Sequence, residues 1–169
     1  MAQQTSPSDR PRFEDYPVTE VYKGPLAAPI LATQQERLYR TRIRNGVQFG
    51  EGVERVQGEL ERPGPNFAGH YIIVEIGCGS PCVLMAIVDA KTGRIHNPPM
   101  STGLGITNLG GYPWLPGIEF RLDSDLMIMR PCANDGPVYD HYFLWTDNRW
   151  KLIRKVKQEP ESVQPDRGR

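Results

Sequence analysis

No apolar run in this chain approaches the roughly 20 residues needed to span a bilayer; the longest lies around Val83 to Val88. The sequence therefore predicts no transmembrane helix. An excess of charge of one sign is also missing. Lys and Arg total 20, Asp and Glu total 20, and the formal net charge is zero, so no global field draws the chain toward nucleic acid or an anionic membrane. The opening "MAQQTSPSDRPRFEDYP" has no basic region followed by an apolar stretch. A polar start of this kind is what remains when an export signal has been removed. Histidine and cysteine are scarce, at 3 each in 169 residues. His70, His96, His141 and Cys132 show no paired spacing of the kind that holds zinc, and no metal or other cofactor is expected. Neither a glycosidase carboxylate pair nor a serine nucleophile elbow can be read.

What is present begins with Cys78 and Cys82, at the centre of "YIIVEIGCGSPCVLMAIVDAKTG". If Gly79, Ser80 and Pro81 form a loop, Cys78 faces Cys82, Ile76 faces Leu84, Val74 faces Ala86 and Ile72 faces Val88. Alternate side chains of a strand share a face, so this register gathers all eight apolar residues on one side. Ile73, Met85 and Ile87 fall on the other side with Glu75 and Asp89, a mixed face expected to be half covered. Directly opposed residues in an antiparallel pair lie about 4.5–5.5 Å apart, a separation that a disulfide accepts. Three readings stand: a disulfide staple, reduced structural thiols, or a reactive or metal-binding pair. The C-x-x-x-C spacing in a strand pattern departs from the C-x-x-C at a helix start that lowers a thiol pKa. Cys132 is left over. His70 lies about 26 Å along the strand from Cys78 at about 3.3 Å per residue, too far for a dyad. Asp140 and His141 are adjacent and point to opposite faces, which argues against their pairing as acid and base.

One helix is expected, in "ATQQERLYRTRIRNGVQFGEG". Thr33 and Glu36 have capping-box spacing, and Gly46 offers a left-handed stop. Leu38, Tyr39 and Ile43 form a narrow apolar stripe opposite Arg37, Arg40 and Arg44, which read as a solvated face rather than a phosphate grip. From Asn66 onward short alternating runs separated by turn residues predict hairpins. Turns are expected at Asp89 to Gly93, around Asp123 to Asp125, and at Asp147 and Asn148. The last places Trp145 opposite Trp150 and Phe143 opposite Leu152, as core.

The stretch from Asn97 to Gly117 is rich in Gly and Pro and too long for a tight connection. Its "GLGITNLGG" lacks the Lys-Ser/Thr ending and the strand-to-helix setting of a phosphate loop. Tyr112 and Trp114, stiffened by Pro113 and Pro116, offer a binding loop, or a lid folded over the sheet.

"PNFAGHYIIVEIGCGSPC" followed by "AIVDAKTGRI" resembles a family of small bacterial proteins commonly made with export signals. The shared pattern is N-F-A-G-x-Y, carried by Asn66 to Gly69 and Tyr71; G-C-G-x-x-C, carried by Gly77, Cys78, Gly79 and Cys82; and D-A-K-T-G, carried by Asp89 to Gly93. The resemblance implies a periplasmic or extracellular setting, where oxidation of Cys78 and Cys82 is permitted. It transfers no catalytic residue.

The expected fold is α+β: a mainly antiparallel sheet of hairpins, twisted or partly closed, with one N-terminal helix, and a β-sandwich as the alternative. Residues 13–157 form one domain between disordered segments 1–12 and 158–169. The expected function is that of a non-catalytic exported binding or inhibitory module. Its partner would be another envelope or extracellular protein or a small ligand. A thiol-dependent or small-molecule hydrolase using Cys78 or Cys132, and a structural envelope protein, are the alternatives.

Overall fold

The computed structural model describes residues 10–53, 63–78, 82–101, 103–107, 117–130 and 138–158. After a 3-10 turn at Phe13–Asp15 come two short helices, α1 (Gln34–Leu38) and α2 (Arg40–Phe49), followed by eight strands. They are β1 (Tyr71–Gly77), β2 (Cys82–Asp89), β3 (Ile95–His96), β4 (Gly105–Thr107), β5 (Ile118–Phe120), β6 (Leu126–Met129), β7 (Tyr139–Thr146) and β8 (Arg149–Lys157). The chain is α+β, and every strand pairing is antiparallel. The strands divide into two four-stranded sheets: β1, β2, β3 and β4, with both short strands paired to β2, and the meander β5-β6-β7-β8.

The β1–β2 register is the one that the apolar alternation predicts, with Ile72 opposite Val88, Val74 opposite Ala86 and Ile76 opposite Leu84. These six side chains meet Ile43 and Val47 of α2 in one core cluster. The other face differs from its expected half coverage. Ile73, Met85 and Ile87 are fully buried, because Met127, Met129, Phe143 and Trp145 of the second sheet close over them. Each such aliphatic side chain contributes about 1.5–3 kcal/mol on burial, so the first sheet is stabilised from both sides. The molecule is thus layered helix on sheet on sheet. The outer face of the second sheet is covered in part by Phe13 and Tyr16 of the N-terminal segment.

The capping box forms as expected: Thr33 Oγ1 accepts from Glu36 N at 3.1 Å and the Glu36 carboxylate accepts from Thr33 N at 2.9 Å. The same carboxylate also accepts from Ala32 N at 2.6 Å, which accounts for its burial. The helix breaks at Tyr39 and then runs past Gly46 to end at Gly50, whose φ of 83° makes it the left-handed cap. Gly46 is needed instead for close approach: a Cβ there would lie 2.5 Å from Val74 Cγ1. Of the expected apolar stripe, Ile43 is buried, whereas Leu38 is 70% exposed. Arg37, Arg40 and Arg44 face solvent, and Arg37 turns back to donate to the Ala32 carbonyl.

Residues 17–30 form a strap across one end of both sheets. Val18 N donates to Asp123 O, Tyr22 N to Gly69 O, Ala27 N to Ala90 O and Ile30 N to Gly93 O. Two glycines of the sequence pattern exist for this strap. Gly69 (φ 76°) and Gly93 (φ 77°) are left-handed, and a Cβ would stand 2.4 Å from Glu20 O in the first case and 2.0 Å from Ala28 O in the second.

Candidate functional site

The register that pairs Tyr71 with Asp89 brings the N-F-A-G-x-Y and D-A-K-T-G segments to the same end of the β1–β2 hairpin, and the cysteines to the other. At the first end lies an open cleft of about 410 Å³ lined by Ala68, His70, Tyr71, Asp89, Asp125 and the β7–β8 turn from Trp145 to Asn148. Four separate segments build it. Ala68 is held at φ 43°, a left-handed conformation that costs a non-glycine residue about 1–2 kcal/mol. It is fixed there by bonds from Ala68 N to Arg121 O at 3.3 Å and from Gly69 N to Leu122 O at 2.7 Å. Those two bonds tie the first sheet's lip to the second sheet's loop.

Upstream, Asn66 is buried and clamps the same lip. Its Oδ1 accepts from Ile73 N at 2.7 Å and its Nδ2 donates to Ile73 O at 3.2 Å, satisfying both backbone groups of a residue at the sheet edge. Across the cleft, Asp147 and Asn148 adopt φ of 50° and 58°, as expected for a two-residue hairpin turn with both central residues left-handed. Trp145 opposes Trp150 and Phe143 opposes Leu152 as the alternation predicts. Leu152, however, is 50% exposed. A bulge between Tyr142 and Phe143 shifts the register of this pair and turns the strand at that point.

The polar groups of the cleft fall into two kinds. Asp89 and Tyr71 are committed to internal bonds. Asp89 accepts from Lys91 N at 2.8 Å and from Thr92 Oγ1 at 2.9 Å, which is the expected side-chain turn. The Tyr71 hydroxyl donates to Asn148 Oδ1 at 2.9 Å and so bridges the two sheets; burial holds its pKa above the usual phenol value. His70 Nε2 stands 4.0 Å from Asp89 Oδ1, an ionic contact rather than a hydrogen bond. Desolvation outweighs that carboxylate and lowers the His70 pKa, favouring the neutral imidazole. Asp125 is different. Its backbone bonds Tyr16 and Trp145, while burial alone raises its carboxyl pKa.

Aromatic rings back the cleft. His70 lies 4.1 Å from Tyr71 between centroids, and Tyr71 packs edge-on against Trp145 at 5.4 Å. His96 is wedged edge-on between the same two rings, at 5.9 and 5.2 Å. Burial lowers its pKa too, and its Nε2 is enclosed without a hydrogen-bond partner among the described residues. His141 is elsewhere. It stacks on Phe143, contacts Tyr139 O through Nδ1 at 3.2 Å, and has its pKa lowered by burial. Two of the three histidines therefore share a neighbourhood.

Asp140, expected on the opposite face from His141, is 1% exposed. It accepts from Arg130 Nε at 2.7 Å, with Arg10 at 3.4 Å and Gln158 adding further bonds. Arg130 also meets Glu119 at 3.1 Å. This buried network joins both ends of the described chain to the second sheet.

At the far end of the hairpin the last ladder pair is Gly77 with Val83, and continuing that register sets Cys78 opposite Cys82. The side chain of Cys82 and the whole of Cys132 lie outside the described residues, as do Tyr112 and Trp114 of the expected binding loop. The regular β1 strand separates Cys78 from His70 as expected. Among the described residues no group of three or more His, Cys, Asp or Glu is placed to hold a metal ion, and no helix is long and apolar enough to cross a membrane.

Little in the sequence alone pointed to the cleft. The pairing of Tyr71 with Asp89 follows from the hairpin register, but Asp125 and Trp145 arrive from a different sheet. Comparison with protein-family models, curated proteins and solved structures finds no match to this chain.

Proposed function

We propose that the chain is a non-catalytic, exported binding module whose recognition site is the cleft between the two sheets. The observation that supports this reading is the arrangement of the cleft's polar groups. Tyr71, Asn148 and Asp89 are locked by internal bonds, giving a preorganised wall that loses little freedom on binding. A concave site with an aromatic backing and a few fixed polar groups is the usual form of a small-ligand pocket. The His70–Asp89 contact is poorly suited to proton relay, because the carboxylate is occupied by the turn and no hydrogen bond orients the ring.

Export is supported by the resemblance of the Asn66 to Gly93 segment to exported proteins. In this reading a disulfide joins Cys78 to Cys82 and staples the open end of the hairpin, leaving Cys132 unpaired. The Tyr112–Trp114 loop is a second recognition element of the same module.

Two measurements test the proposal. In the first, amide and side-chain NMR shifts are followed while a mixed fragment set is added. Ligands should move Asn148, His70 and the Trp145 indole together, and a set whose hits all fall elsewhere sinks the cleft as the site. In the second, intact mass should rise by two hydrogens on reduction, and tryptic mapping should join Cys78 to Cys82. A native chain with one rapidly alkylated, low-pKa cysteine would favour the thiol-dependent hydrolase instead.

A further inference from the structure

We infer that the cleft takes an organic cation, a primary ammonium or guanidinium group, seated against the Asp125 carboxylate beside the Tyr71 and Trp145 rings. The inference rests on the reading of the cleft as a binding site and adds the chemistry of its ligand.

Three carboxylates, Asp89, Asp125 and Asp147, line the cavity, and no Lys or Arg is among its lining residues. Burial lowers the pKa of the one imidazole on its wall, His70, and so favours its neutral form. The fixed charge lining the cleft is therefore negative, which favours a cationic ligand. The carboxylates are not equivalent. Asp89 spends its oxygens on the Lys91 amide and the Thr92 hydroxyl, and Asp147 is exposed at the turn. Asp125 is partly buried, and its side chain makes no hydrogen bond or ion pair among the described residues.

An uncompensated carboxylate in a partly desolvated position costs free energy unless a cation or donor meets it. Its raised pKa reports that cost, since burial is the sole cause. Structural aspartates in this molecule look otherwise: Asp123 is paired with Arg121 at 2.7 Å and Asp140 with Arg130 at 2.7 Å. Asp125 alone among these faces a cavity. The adjoining aromatic pair supplies the second half of a cation site, because ring quadrupoles attract ammonium and guanidinium groups. A volume of about 410 Å³ admits a small molecule or the end of a long side chain.

Two sources present this chemistry: a free amine, or a Lys or Arg side chain of a protein. The full oxidised chain is titrated with n-butylammonium, with its neutral counterpart n-butanol, with agmatine, and with an Ala-Lys-Ala peptide blocked at both termini. Asn148, His70 and Trp145 resonances are the readout. Butylammonium and agmatine should give saturable shifts in these residues. Asp125→Asn should weaken both at least about tenfold, which is about 1.4 kcal/mol, without lowering Tm, because the native carboxylate has no bonds to lose. Peptide binding tighter than butylammonium assigns the site to a protein side chain; the reverse order assigns it to a free amine. If butanol binds as well as butylammonium, or Asp125→Asn leaves amine affinity unchanged, the cation inference is overturned while the cleft stands as a site. Silence of the three resonances with every probe and with the fragment set removes both.

Discussion

Replacing Asn66 by Ala should destabilise the chain more than its position in a turn suggests. The side chain satisfies Ile73 N at 2.7 Å and Ile73 O at 3.2 Å, and both it and Ile73 are buried. Alanine leaves two backbone groups enclosed without those partners, each costing about 1–3 kcal/mol. Partial access of water through the vacated space offsets some of this, so a total of about 3 kcal/mol is expected. For a domain of this size that lowers Tm by roughly 6–12 °C. Urea unfolding followed by far-UV circular dichroism supplies the free energy, and the Ile73 amide should lose hydrogen-exchange protection selectively. Asn66→Asp separates the two bonds. It keeps an acceptor for Ile73 N but sets a second oxygen against Ile73 O, so at pH 7 it should be at least as damaging and should recover in part as the carboxyl protonates. A loss below about 0.5 kcal/mol for the alanine variant, with exchange at Ile73 unchanged, would refute the clamp, since surface substitutions ordinarily stay within that range.

Gly93→Ala should cost several times more than Lys91→Ala in the same turn, because its Cβ would lie 2.0 Å from Ala28 O and dislodge the strap; comparable urea midpoints for the two would show that the strap yields freely. Asp140→Asn should destabilise by about 3 kcal/mol by leaving Arg130 undercompensated, whereas replacing Arg130 and Asp140 together with Met and Leu should cost much less; equal losses for the single and double variants would contradict this. Burial lowers the pKa of His70, His96 and His141 below the ordinary value of 6.5. The unfolded chain then binds protons first as pH falls, so stability should drop as pH descends through about 6.5 and level off below the folded-state values. Single His→Gln variants should flatten this slope, and a slope of the opposite sign would refute the assignment. Asp125 acts oppositely at lower pH, since its raised pKa means that protonation relieves a native-state cost.

Strand register was legible because three constraints coincide in residues 72–88: strict alternation, a short Gly-Ser-Pro connection, and a Tyr71–Asp89 terminus flanked by turn residues. Thr33 and Glu36 were equally legible, since a capping box is local chemistry. Gly46 was misread because a glycine within a helix carries the same sequence signal whether it ends the helix or admits a neighbour, and only Val74 decides. The burial of Ile73, Met85 and Ile87 was underestimated because Glu75 and Asp89 make that face look mixed. Asp89 in fact lies at the strand end, where its carboxylate turns to the Lys91 and Thr92 backbone and hydroxyl. The cleft itself depends on how β6 and β7 dock on β1, a long-range packing choice with no periodic signature.

The strap has a consequence for the order of assembly. Tyr22 requires Gly69, Ala27 requires Ala90 and Ile30 requires Gly93, so an early part of the polypeptide has no docking place until residues far downstream have been made and paired. Such distant contacts are formed late because closing long loops costs entropy before any reward. Whichever way the chain emerges, by ribosome or translocon, its leading stretch must stay unattached and then tie the finished layers together as the final knot.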